Sequence, residues 1–154
     1  MKAIHWIIAA AALAYVHPTQ AATTDPEVII YRFPGVRDDG GTDDVGVATV
    51  FHCTNFSGAT ETIRLVTRNF DATFRGNNAR TINHLETFST GTHFVAAYNS
   101  ATLMTGPINQ GTTAIAATST NLICTAMTID AANLKPDGVA LHGIRFNPVP
   151  GSQE

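Results

Sequence analysis

Val45-Gly46-Val47-Ala48-Thr49-Val50-Phe51-His52-Cys53-Thr54 alternates with a period of two. Val47, Phe51 and Cys53 share one face, and His52 and Thr54 share the other. Successive side chains leave a pleated strand on opposite sides, so this stretch reads as a β-strand with Cys53 turned to the core and His52 outward. Around the second cysteine both faces are apolar. Leu122 and Ala126 lie on one, and Ile123, Met127 and Ile129 on the other. A strand apolar on both sides is central or covered.

Outward from these two stretches, the same period predicts strands at Glu27–Phe33, Glu61–Arg68, Arg80–Leu85, Phe94–Tyr98, Gly111–Thr118 and Val139–Phe146. With Val45–Thr54 and Leu122–Ile129 they make about eight. Turn-forming residues separate them, among them Pro34-Gly35, Gly76-Asn77-Asn78, Gly106-Pro107 and Pro136-Asp137-Gly138. Ser119-Thr120-Asn121 reads as a tight hairpin connection, and the one helical candidate is a turn near Ala131–Leu134. Many short strands without a crossover helix predict an all-β fold, a two-sheet antiparallel β-sandwich of immunoglobulin-like architecture.

The amino terminus follows a different logic. Lys2 precedes an apolar run, Ala3–Val16, and Thr19-Gln20-Ala21 offers the small residues that a signal peptidase reads. The run is too short to span a bilayer as a helix. Residues 1–21 are therefore expected to be a cleaved signal peptide, leaving a single domain, 22–154, with loose ends at 22–25 and 148–154. Removal of the leader takes away Lys2 and Trp6, so Lys135 remains as the only lysine and no tryptophan is left. The missing tryptophan departs from the usual immunoglobulin core. In an exported chain, periplasmic or extracellular, Cys53 and Cys124 are expected to form a disulfide between the facing sheets.

Of the 154 residues 14% are charged, and the net charge is −3. Such a balance gives no electrostatic footprint for nucleic acid and no tail of the disordered, highly charged kind. Asp38-Asp39-Gly40-Gly41-Thr42-Asp43-Asp44 is the densest group of ligating atoms. Its four carboxylates suit calcium in number, although the register is not that of an EF-hand and a solvated loop explains the same residues. His84 and His93 flank a short polar segment and are candidates for a zinc or copper pair. The blue-copper pattern fails because no histidine follows Cys124 at a ligating distance in sequence. No G-x-S-x-G elbow is present, and no catalytic residue is assigned.

From Thr87 to Ile129 there is no Asp, Glu, Lys or Arg. Central strands show this depletion, and so does an unguarded sheet edge open to a partner strand or to another copy of the chain. On the second account Thr112, Thr113, Ala114, Ile115 and Ala116 form an interaction surface.

Val47-Ala48-Thr49-Val50-Phe51-His52-Cys53-Thr54-Asn55, Ala116-Ala117-Thr118-Ser119-Thr120, Cys124-Thr125-Ala126-Met127, Asp130-Ala131-Ala132 and Arg145-Phe146-Asn147-Pro148 resemble segments of small exported bacterial proteins that carry no assigned function. The resemblance implies export and one β-rich domain, and it transfers no site residue. The function expected from the sequence is contact with a protein or glycan partner by an exported, non-catalytic sandwich. A small periplasmic metal-binding module, calcium-stabilised or carrying zinc or copper, is the alternative, and a small hydrolase the third; no cofactor is expected outside that alternative, in which calcium is the candidate.

Overall fold

The computed structural model describes residues 26–41, 43–98 and 101–150. The expected signal peptide, the tail 22–25 and residues 151–154 lie outside them. Among these residues ten strands form two five-stranded sheets. They are β1 (Val28–Asp38), β2 (Val47–Asn55), β3 (Glu61–Asn69), β4 (Phe74–Ile82), β5 (Thr87–Gly91), β6 (Ala101–Thr102), β7 (Ile108–Ala117), β8 (Leu122–Asp130), β9 (Val139–Leu141) and β10 (Ile144–Pro150). The first sheet has the order β10-β1-β7-β3-β4 and the second β6-β5-β2-β8-β9. Pairing is antiparallel except between β5 and β6. Among the described residues no helix is long and apolar enough to cross a membrane.

The alternation of β2 and β8 decides how the sheets meet. Phe51, Cys53, Leu122, Cys124 and Ala126 join Phe33, Ile63, Leu65 and Ile115 of the first sheet in the main core. The opposite face of β2 and β8 is covered at its Ala48–Val50 and Met127–Ile129 end, while Ile123 at the other end is 55% exposed. Ala48, Val50 and Ile129 pack under Val95 and Ala131, with Ala97, Tyr98 and Met127 at the margin. Phe94–Tyr98, expected as a strand, is this cover. Its alternating apolar residues are used to shield a sheet face, and the pairing position beside β2 belongs to Thr87–Gly91.

Several expected boundaries move for identifiable reasons. Pro34-Gly35 lies within β1, at a register shift between Pro34 and Val36. Pairing with β10 has ended at Arg32, so the amide that proline lacks is not needed on that side. Gly76-Asn77-Asn78 lies inside β4, where a Cβ on Gly76 would meet the Leu103 carbonyl oxygen at 2.3 Å. The close approach of Leu103 accounts for the glycine. Ser119–Asn121 does not close a hairpin, because β7 and β8 belong to different sheets. Val139–Phe146 divides into β9 and β10, again in different sheets, and β10 carries strand structure through Pro150 into the expected loose end.

The disulfide is present but differs in place from the immunoglobulin arrangement. Cys53 and Cys124 face each other on the neighbouring strands β2 and β8, with Cα atoms 4.1 Å apart. The bond therefore staples one sheet rather than joining two. The expected interaction surface also changes character. β7 is the middle strand of its sheet, bonded to β1 and β3. Thr113, Ala114, Ile115 and Ala116 are buried, Thr112 is half-buried, and the Thr113 hydroxyl is 2.7 Å from that of Thr67. Thr112–Ala116 is thus no exposed edge, and the absence of charge there is that of a central strand.

His52 is the half-buried outward residue of β2. Its Nδ1 lies 2.8 Å from the Ser89 hydroxyl and its ring packs edge-on to Tyr98 at 4.7 Å between centroids. Burial lowers its pKa from 6.5, because the cation loses water without gaining a counter-ion. Folding then favours the neutral ring, so this contribution is complete above pH 6.5 and is lost as pH falls towards the lowered value. We expect His52→Gln to flatten the fall in melting temperature between neutral and mildly acidic pH. An unchanged slope would show that other groups set it.

Candidate functional site

The end of the sandwich where β1 finishes gathers two residues that stand far apart in sequence. Asp38 closes β1, and His93 follows β5 by two positions. The segment Thr92-His93 is held by a reciprocal pattern with β2. The Thr92 amide donates to the Thr49 carbonyl at 2.9 Å, and the Thr49 amide donates to the Thr92 hydroxyl at 3.1 Å. The Thr49 hydroxyl in turn donates to the Arg37 carbonyl and accepts from the Arg37 amide, tying β1 to β2 across the sheets. These bonds set the position of His93 before its side chain makes any contact.

His93 Nδ1 then lies 2.9 Å from Asp38 Oδ2, with the Asp38 and His93 side chains 1% and 7% exposed. Asp38 Oδ1 accepts the Gly40 amide at 2.7 Å, and the Thr105 hydroxyl is 3.3 Å from Oδ2 and 3.0 Å from the Gly106 carbonyl. A carboxylate has no hydrogen to give, so Nδ1 supplies the one in the His93–Asp38 bond. In the neutral ring Nε2 is then a bare acceptor. Among the described residues, His93 Nε2 and Arg75 Nε are the buried side-chain polar atoms without a hydrogen-bond partner. An unsatisfied group of this kind costs about 1–3 kcal/mol, so its presence calls for a reason.

His93 and Asp38 line a hollow of about 420 Å³ together with Gly41, Asp43, Met104 and Gly106. The two flanks of the hollow hold backbone in the left-handed region, with φ of 58° at Asp44 and 50° at Met104. Met104 is 67% exposed, so no burial of its side chain explains the strained backbone. Arg75 stands behind Gly106 and donates from Nη2 to the Pro107 carbonyl at 2.9 Å.

The acidic loop is divided between structure and solvent. Asp39 accepts the Gly41 and Val47 amides, at 3.1 and 2.8 Å. The Val47 bond is the largest cause holding its carboxyl below the usual 3.8, opposed by burial and helped by the Gly41 amide. Gly46 follows from the same bonding. Its φ is +79°, and a Cβ there would lie 2.1 Å from Asp39 Oδ2. Asp38 and Asp39 are thus engaged by backbone amides, while Asp43 and Asp44 are exposed. Among the described residues no three His, Cys, Asp or Glu side chains converge as a metal site would require.

His84 does not join His93. It is exposed and its Nδ1 accepts the Gly58 amide at 3.1 Å. His84 precedes the Leu85–Asn55 bond, whereas His93 follows the Thr92–Thr49 bond. Six residues of β2 separate those points, on the order of 20 Å, so the two histidines cannot share an ion. Sequence reasoning named Asp38 and His93 but in separate constellations. It missed Thr105, Met104 and Gly106, for which only the turn signal of Gly106-Pro107 was visible.

A second hollow, about 400 Å³, is lined by Phe56, Asn121, Leu122, Ile123 and Arg145. It lies where β9 pairs only with Ala126–Thr128, leaving the first residues of β8 without a partner strand on that side among the described residues. Arg145 on its lining donates to the Thr120 carbonyl.

No family model and no curated protein matches the chain. A solved structure described as Thermotoga maritima 1070 shares 11% identity with a TM-score of 0.46, covering 74% of this chain and 92% of that one.

Proposed function

We propose that the protein is an exported, non-catalytic β-sandwich that works by reversible contact, seating a polar group of its ligand in the hollow at the Asp38–His93 end. The observation that carries this reading is His93 Nε2. It is buried, lacks a partner, and belongs to a ring whose orientation Asp38 already holds. A pre-oriented acceptor binds with little ordering cost. The nearest hydroxyl in the network, Thr105, has carbonyl and carboxylate acceptors within reach, which supports binding over nucleophilic attack.

Two measurements test the reading. Amino-terminal sequencing of protein recovered outside the cytoplasm is expected to begin at Ala22, and a chain retained inside with Met1 intact contradicts export. Saturation-transfer NMR against mixed monosaccharides, amines, carboxylates and short peptides is expected to show contact that His93→Gln removes, with every ligand recovered unchanged. Absence of any contact overturns the reading, and chemical conversion of a ligand replaces it with the hydrolase alternative.

A further inference from the structure

We infer that the Asp38–His93 hollow takes a primary alkylammonium group, a claim that rests on the binding reading above and names its ligand class. Three observations converge on a cation that carries hydrogens. The first is His93 Nε2, a ring nitrogen without a hydrogen-bond partner on a side chain only 7% exposed. With Nδ1 donating to Asp38, the neutral ring offers a lone pair and no hydrogen on its other side. It therefore selects a donor and disfavours a carboxylate or phosphate. The second is charge. The lining includes two acidic residues, Asp38 and the exposed Asp43, and no lysine or arginine. The Arg75 guanidinium behind Gly106 is anchored through Nη2 to the Pro107 carbonyl. The third is the apolar flank. Met104, 67% exposed on strained backbone, presents a flexible thioether side chain at the rim, suited to methylenes rather than to a hydrated ion.

These requirements together describe an ammonium on an alkyl chain. It would donate to His93 Nε2, pair with the Asp43 carboxylate and lay its methylenes along Met104. A bare divalent metal fits less well, since no three ligating side chains converge among the described residues. The volume of about 420 Å³ accommodates a five-carbon chain with its head group. A free diamine and the side chain of a partner's lysine present the same chemistry.

Isothermal titration calorimetry of the mature protein separates the cases. The probes are cadaverine, Nα-acetyl-lysine methylamide, 1-pentanol, pentanoate, zinc chloride and calcium chloride. Both ammonium compounds are expected to bind, with the diamine favoured if the natural ligand is free and the capped lysine if it belongs to a peptide. Asp43→Asn, a change at an exposed residue, is expected to weaken them about tenfold, the loss of one charge-assisted contact. Met104→Ala is expected to weaken the five-carbon amines and to leave unaffected the binding of ammonium chloride, added as a further probe without methylenes. Equal binding of pentanol, or binding of pentanoate alone, overturns the ammonium assignment and leaves the binding reading standing. Binding of zinc or calcium that displaces cadaverine overturns it in favour of a metal. Silence of every probe, together with no contact in the saturation-transfer experiment, overturns both.

Discussion

Opening the Cys53–Cys124 bond lowers stability by about 4 kcal/mol in the chain-entropy account, because it closes a separation of 71 residues. For a domain of this size that is a fall of roughly 15 °C in melting temperature. The staple joins β2 and β8 at positions already opposed in register, so its removal leaves the native pairing intact. Cys53→Ala with Cys124→Ala is therefore expected to keep the β-sheet circular dichroism of the wild type at low temperature and to unfold well below it. Both sulfurs sit in the main core, which adds a packing loss to the entropic one. A melting temperature unchanged by the double substitution would show that the bond constrains neither state.

Asp38→Ala is the second large effect. The substitution removes the acceptor for the Gly40 amide and the partner of His93 Nδ1, both in a buried setting. Hydrogen bonds to a charged group contribute about 1.5–3 kcal/mol each, so with two of them gone and their buried donors left unpaired the expected loss is about 3–5 kcal/mol. Asp43→Ala, on an exposed residue of the same loop, is expected to change stability by less than about 0.5 kcal/mol. The contrast matters more than either value. Near-equal losses would mean that the loop responds to total charge and that the Asp38–His93 contact contributes nothing of its own.

The parts of the fold legible in the sequence were those governed by strict alternation. Cys53 inward, His52 outward, and the doubly apolar face of β8 follow from a period of two alone. The pairing of the two cysteines followed from their number and the expected export, although not their place in one sheet. Which sheet a strand joins depends on contacts between distant segments, and Ser119–Asn121 has the composition of a hairpin while it serves a crossing between sheets. Phe94–Tyr98 alternates like a strand because a cover over a sheet face also needs one apolar side. The site was half legible. Asp38 and His93 carry chemistry wherever they stand, but they are 55 positions apart and meet only because Thr49 binds Arg37 on one side and Thr92 on the other. No spacing rule encodes that bridge.

Protonation of His93 itself tests the account most directly. A long-range proton–nitrogen correlation spectrum of histidine-labelled mature protein at neutral pH reads each ring nitrogen separately. The account predicts that His93 carries its hydrogen on Nδ1, that Nε2 is bare, and that adding cadaverine shifts Nε2 while Nδ1 stays bonded to Asp38. A hydrogen found on Nε2 instead, or an Nε2 signal indifferent to every ligand that binds, would contradict it.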